Sequence, residues 1–183
     1  MQDLSLHILD IVENSINAEA SRITVKINES KKKNLLILEV SDNGRGMDED
    51  MLNHIEDPFY TSRTTRKVGL GIPLLGQAAK DCRGKMKIET KKGEGSKIKA
   101  SFQHNHIDRK PLGDITATIT VLIVGNPHID FIFQLMREEE ELLIDTAELK
   151  KDLGDVSINL PGVIKIIKDT INDWLKQTNY MIE

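Results

Sequence analysis

The chain has 183 residues, a formal net charge of −4, 39% hydrophobic and 4% aromatic residues. That length holds one full domain and a smaller second unit, with a mainly aliphatic core. Residues 1–105 carry 17 basic and 15 acidic side chains, and residues 106–183 carry 8 and 14. The first balance is too slight to argue for nucleic acid, and the second argues against it. A single cysteine, Cys82, excludes an intrachain disulfide and falls on the apolar side of an expected helix. The start MQDLSLH lacks a secretory pattern, and no apolar run approaches the ~20 residues of a membrane span. The expectation is a cytoplasmic protein with no membrane and no nucleic-acid partner.

Leu4 to Ala18 predicts a helix, with Leu4, Ile8, Ile11, Val12 and Ile16 at helical spacing. Strands are expected over Arg22–Asn28 and Leu35–Ser41, joined by a lysine-rich hairpin loop. Asp48 can cap a short helix through Ile55, which Pro58 stops. Tyr60–Lys67 has no apolar periodicity and reads as a loop. A helix is expected from Leu70 to Cys82, with Pro73 in its first turn and Gly84 as its stop. Strands Lys85–Thr90 and Ser96–Phe102 flank the hairpin signal Lys-Lys-Gly-Glu-Gly. Residues 104–113 read as a linker or long connection. Beyond them come strand-like stretches Ile115–Val124, Asp130–Leu135 and Glu141–Ile144, a short helix Thr146–Leu153 and a longer one Pro161–Gln177. Glu138–Glu141 reads as a solvated turn. His104 and His106 have no further ligand at metal spacing and read as a polar connection.

The first helix has an unusual polar side. Asp10, Glu13, Asn14 and Asn17 recur at i, i+3, i+4 and i+7 and project together. A solvated stripe normally uses Lys, Glu, Arg and Gln; Asp and Asn are poor helix formers. A surface stripe remains one reading, and a Mg-triphosphate site is the other. Mg²⁺ takes oxygen ligands, so the Asn14 amide oxygen can supply one, and Asp10 one turn earlier can polarise a water toward the γ-phosphate. His7, at the edge of that stripe, reads as structural.

Asp42-Asn43-Gly44-Arg45-Gly46-Met47 follows a buried strand. A carboxylate there can accept from the exocyclic amine of adenine, with glycines letting the backbone approach a flat base; an ordinary Asn-Gly turn is the alternative. Val68-Gly69-Leu70-Gly71-Ile72 opens a helix, an arrangement that offers free N–H groups to an anion.

In their order and spacing these motifs resemble the GHKL ATPases: gyrase, the heat-shock chaperone ATPases, histidine kinases and MutL. Val12-Glu13-Asn14-Ser15-Ile16-Asn17-Ala18 resembles the N box, close to that of MutL, and Asp42-Asn43-Gly44-Arg45-Gly46 the G1 box. Asp57-Pro58-Phe59-Tyr60-Thr61-Ser62 is similar to the histidine-kinase F box, Gly69-Leu70-Gly71 to the G2 box, and Gly93-Glu94-Gly95-Ser96 to the last glycine motif. The resemblance spans about residues 4–103. It implies a Bergerat fold, an α/β (α+β two-layer sandwich) with a mixed sheet covered on one face by helices, to which this chain adds a small α/β C-terminal extension. The implied division is an ATP-binding domain over 1–103, a linker over 104–113 and a C-terminal region over 114–183.

The resemblance implies ATP and Mg²⁺ as cofactors, with Asn14 as the metal ligand and Asp42 as the adenine reader. Asn17, Gly44, Gly46, Met47, Phe59, Gly69, Leu70, Gly71 and Ser96 are the remaining implied nucleotide positions. Arg63 and Lys67 (or Arg66) sit in the implied lid, Tyr60–Val68. Hydrolytic members carry Glu where this chain has Asp10, the candidate catalytic residue, so its reach to an attacking water is one methylene shorter. The N box lies so near the first residue that no phosphoacceptor hairpin is expected before it. The expected function is ATP hydrolysis or γ-phosphoryl transfer to a separate protein partner, either a phosphoacceptor or a regulated protein. The alternative is a non-catalytic ATP-gated switch of the anti-sigma type. Homodimer formation is left open.

Overall fold

The computed structural model describes residues 3–48, 52 and 71–178. Helix α1 (Leu4–Asn17) starts where the Asp3 carboxylate accepts from the Leu6 amide at 3.1 Å. Its Leu4, Ile8, Ile11 and Val12 are buried, the stripe that sequence spacing predicts. Strands β1 (Arg22–Ser30) and β2 (Leu35–Asp42) form an antiparallel hairpin running from Ile23↔Asp42 to Ser30↔Leu35. Of the short helix expected after Asp48, Leu52 N donates to Asp48 O at 3.0 Å, the spacing of one helical turn; the rest lies outside the described residues. Helix α2 (Gly71–Asp81) buries Leu75, Ala78 and Ala79. Strands β3 (Lys85–Lys91) and β4 (Gly95–Gln103) pair antiparallel, and β4 also pairs with β2. Cys82 is buried behind α2, and burial pushes its thiol pKa up, as suits an inert core residue.

The later part of the chain corrects one expectation. Ile115–Val124 reads as a strand in the sequence, yet it is helix α3 (Ile115–Gly125). Its Ile, Val and Thr content favours strand, and it is apolar nearly all round, so periodicity alone does not separate the two. Local hydrogen bonds and packing decide it. The Asp114 carboxylate caps the first turn through Ala117 N at 2.8 Å, and Thr118 Oγ1 donates back to Asp114 O at 2.9 Å. The helix lies between α1 and the last helix, so it is buried on two sides. Strands β5 (Asp130–Arg137) and β6 (Glu140–Asp145), helix α4 (Thr146–Leu153) and helix α5 (Pro161–Gln177) follow as expected. The turn of the β5–β6 hairpin is more than solvated: Glu138 accepts from Ser30 Oγ at 2.9 Å and from Lys32 N at 3.1 Å. The Lys32 amide holds that carboxyl below the usual range.

The six strands of the described residues join one sheet in the order β3-β4-β2-β1-β5-β6. Among the described residues only the β1–β5 pair is parallel, from Arg22↔Asp130 to Glu29↔Arg137. The strands alternate in the direction of their side chains. Ile23, Val25 and Ile27, Leu36, Leu38 and Val40, and Phe131, Phe133 and Leu135 turn to one face, where the helices cover them. Across the other face runs the row Lys26, Glu39, Lys99, Lys87. The result is the two-layer α+β sandwich with a mixed sheet. Residues 104–113 cross the first turn of α1: Leu4 N donates to Pro111 O at 2.9 Å and Ser5 N to Leu112 O at 2.8 Å. Those amides have no partner within the helix, so the connection satisfies them. His104 pairs with Glu29, tying the start of the connection to the end of β1.

The sheet register generates one prediction. Ending the chain at Gln103 takes away the parallel partner of β1 and the acceptors of Leu4 and Ser5. The expected outcome is a fragment with no cooperative thermal transition by circular dichroism. A sharp melt would show that residues 1–103 fold alone. His7 generates a second. It is 2% exposed, and its Nδ1 has no hydrogen-bond partner among the described residues. Burial lowers its pKa most, against smaller upward pulls from Asp10 and the Gly71 backbone. Between the lowered folded value and the ordinary ~6.5, the unfolded chain binds more protons than the folded one. The contribution is therefore full above about pH 6.5 and is lost as pH falls toward the folded value. Urea unfolding of His7→Leu should show a flatter decline over that window. An unchanged decline would assign it to other groups.

Candidate active site

The site is built where the end of β2 meets the C-terminal half of α1. Asp42 is the last residue of β2. Its Oδ2 accepts from Ser15 Oγ at 2.7 Å, and its Oδ1 accepts from Gly44 N at 2.9 Å. One oxygen is therefore held by the helix and the other by the loop that follows the strand. Hydrogen bonds to an ionised carboxylate are among the stronger kind, and each oxygen keeps lone pairs for a further donor. Ser15 lies on the buried side of α1, so this bond fixes the helix against the strand end.

The loop after Asp42 is clamped on both sides. Arg45 N donates to Ala18 O at 2.9 Å, and a side chain at Gly44 would meet that same carbonyl oxygen at 2.7 Å. Gly46 has φ +62, a left-handed conformation that glycine adopts without strain. Gly93 N donates to Arg45 O at 2.7 Å, and Met47 N donates to Thr90 Oγ1 at 2.9 Å. Asn43 turns the other way, its Oδ1 accepting from Ser21 N and Arg22 N at 3.0 and 2.8 Å. The glycines are thus needed where the loop presses on α1 and on the β3–β4 hairpin.

Ser96 stands directly opposite Asp42 in the β2–β4 ladder. An open cleft of about 340 Å³ lies here at the strand ends, with Asp42, Glu89, Thr90, Gly95, Ser96 and Lys97 among its lining residues and none of the lining on α1 or α2. Along α1 toward its start, Asp10 is half-buried and adjoins the first turn of α2. A side chain at Gly71 would lie 3.0 Å from Asp10 Cβ and 3.1 Å from Asp10 Oδ2. Asn14 is half-buried between Asp10 and Ser15 on the helix. Asn17 is exposed, and its amide donates to Glu13 O at 2.6 Å on its own helix. Oxygen donors on Asp10 and Asn14, one turn apart, suit a hard cation such as Mg²⁺.

The structure therefore gathers Asp10, Asn14, Asp42, Gly44, Gly46, Met47, Gly71 and Ser96 around one region. Phe59, Arg63, Arg66, Lys67, Gly69 and Leu70 lie outside the described residues. Sequence reasoning missed Ser15 and Thr90. Ser15 carried a signal, being a polar residue one turn after Ile11 on the apolar side, where burial of an unpaired hydroxyl is unfavourable. Thr90 carried none beyond its place at a strand end.

The family model for histidine kinase-, DNA gyrase B- and HSP90-like ATPases matches residues 2–106. Relatives include a putative sensor protein of Shewanella frigidimarina, 31% identical over 103 residues, which are 55% of this chain and 16% of that protein. Sporulation kinase C of Bacillus subtilis is 33% identical over 88 residues, 48% of this chain and 20% of that one. The sensor protein kinase FleS of Pseudomonas aeruginosa is 40% identical over 58 residues, 32% and 14% of the two chains. The chain thus spans a fifth or less of the length of these relatives. Among solved structures, the N-terminal domain of a DNA repair protein superposes with a TM-score of 0.54 at 19% identity, covering 79% of this chain and 52% of that one, a likeness of fold. With a fixed carboxylate and flanking glycines at the strand end, and a family match over more than half its length, this chain belongs to the histidine kinase-, gyrase B- and HSP90-like ATPases and carries their ATP-binding domain.

Proposed function

We propose that the chain binds Mg-ATP between α1, the Asp42–Ser96 strand ends and the first turn of α2, and consumes it by hydrolysis or by phosphoryl transfer to a separate protein. The observation that carries this reading is the two-sided hold on Asp42: Ser15 from the helix and Gly44 from the loop fix a carboxylate in place to receive the base amine. Asp10, half-buried against Gly71, is the group assigned to polarise the attacking oxygen. Asn14 would hold Mg²⁺ through its amide oxygen; the ion supplies neutralisation of phosphate charge when bound. Arg63 and Lys67 are assigned to the phosphates. A cytoplasmic setting is part of this reading, because that is where ATP is supplied.

Calorimetry and γ-labelled ATP test it together. Asp42→Asn should weaken every adenine nucleotide by about 1–3 kcal/mol, roughly 5- to 150-fold, because an amide replaces part of the acceptor capacity with donors. Ser15→Ala should cost about 1 kcal/mol of ATP affinity by releasing one carboxylate oxygen. Asn14→Ala should lower affinity chiefly when Mg²⁺ is present. Asp10→Asn should bind ATP nearly as wild type does and lose on the order of 10²-fold or more in phosphate release. Equal ATP affinity in wild type and Asp42→Asn would overturn the site assignment. Wild type that binds ATP but neither releases phosphate nor labels any protein would leave an ATP-gated switch in place of an enzyme.

A further inference from the structure

The sheet face turned away from the helices carries two features that solvation alone does not call for. Ile37, Ile132, Met136 and Leu143 point to it, stand outside the core cluster, and in the case of Leu143 remain 56% exposed. Its charges are also sorted by strand. β3 and β4 turn Lys85, Lys87, Lys97 and Lys99 to this face with Glu89 between them, whereas β6 turns Glu141 and Asp145 to it. The basic and acidic sides are therefore opposite edges of one sheet. One row crosses all six strands: Lys85, Ser101, Ile37, Asn28, Met136 and Glu141. It starts on an exposed lysine and ends on an exposed glutamate, with two apolar side chains between. Among the described residues neither Lys85 nor Glu141 is in an ion pair; Glu141 accepts from Gln134 Nε2 at 2.6 Å.

We propose that a second copy of the chain docks on this face, sheet against sheet, about a two-fold axis that runs along the strands between β2 and β1. That axis exchanges β3 with β6, β4 with β5 and β2 with β1, and keeps every residue at its own level along the strands. Lys85 of each copy then stands over Glu141 of the other, so the same attraction occurs twice. Ile37, Ile132 and Met136 leave water in the middle, with the charges at the rim. A two-fold across the strands would instead set β3 on β3 and lysine on lysine, which like-charge repulsion opposes. The row that runs from Glu89 to Asp145 brings two carboxylates to one level, yet both are engaged already. Glu89 pairs with Lys87, and Asp145 accepts from the Ala147 amide at 2.8 Å. Six strands at ~4.8 Å spacing, each about eight residues at ~3.4 Å rise, give a face of about 780 Å². A stable interface of standard size buries ~800 Å² per partner. The docking places the Asp42 ends of both copies at the same end of the assembly, and it does not depend on what the cleft there binds.

Sedimentation velocity on the 183-residue chain tests it. Wild type should dimerise reversibly. Lys85→Glu and Glu141→Lys should each weaken the dimer by at least ~10-fold, because the two-fold axis turns one substitution into two like-charge contacts. An equimolar mixture of the two variants should regain the dimer, since every 85–141 contact is again between opposite charges. The Lys85→Glu/Glu141→Lys double variant should regain it for the same reason, which also shows that neither substitution acts by unfolding the chain. Lys33→Glu, in the β1–β2 hairpin loop, should dimerise as wild type does. A wild type still monomeric at ~1 mM overturns the proposal. So does a dimer that neither single variant weakens, or one that Lys33→Glu weakens equally. Failure of both the mixture and the double variant to recover overturns the two-fold pairing of Lys85 with Glu141 and the proposal with it.

Discussion

The Asp42 carboxylate joins helix α1, the loop after β2 and the end of the central strand at one point. Its Oδ2 is reached by α1 through Ser15, its Oδ1 by the loop through Gly44, and its backbone closes the β2 strand between β1 and β4. None of these holds it alone. A carboxylate with a single hydrogen bond would keep rotameric freedom, which any donor binding to it would have to remove. Two bonds from separate elements remove that freedom beforehand. Arg45 binds the loop to Ala18 at the end of α1 and Gly93 binds it to the β3–β4 hairpin, so the loop is held from both sides of the carboxylate.

How far the sequence exposes this arrangement depends on the element. The amphipathic helices α1 and α5 and the alternating strands β1, β4 and β5 are legible because one face of each meets the core and the other meets water, so apolar spacing reports the period. Helix α3 is illegible for the opposite reason. It packs on both α1 and α5, and its exposed face carries Ala117, Val121 and Val124, so no polar stripe marks the helical period, while its threonines and isoleucines pull the reading toward strand. Asp114, which caps it, is the one local sign of its start.

The site divides in the same way. Asp42, Gly44 and Gly46 are legible because a strand end followed by closely spaced glycines constrains the backbone strongly. Asp10 and Asn14 stand out against the helix propensity of their neighbours. Ser15 and Thr90 do not, since what marks each is a hydrogen bond to a residue distant in sequence: Asp42 for Ser15, the Met47 amide for Thr90. The parallel β1–β5 pairing is invisible for a related reason, because nothing local in Asp130–Arg137 names its neighbour.

Helix α1 also explains why an ATP-binding domain here is bound up with the rest of the chain. Asp10, Asn14, Ser15 and Asn17 each cost about 0.5–0.7 kcal/mol of helix propensity relative to alanine, some 2–3 kcal/mol together. A helix of 14 residues is marginal in water even with good formers. Burying Leu4, Ile8, Ile11 and Val12 contributes about 1.5–3 kcal/mol each as an upper bound, and the Asp3 cap about 1 more. Packing therefore outweighs propensity, and α1 holds its polar stripe only while docked. Part of that docking comes from β1, β2 and α2, and part from α3 and the connection over its first turn. Residues 104–125 thus supply a share of the force that keeps a poorly helical polar stripe in helical form.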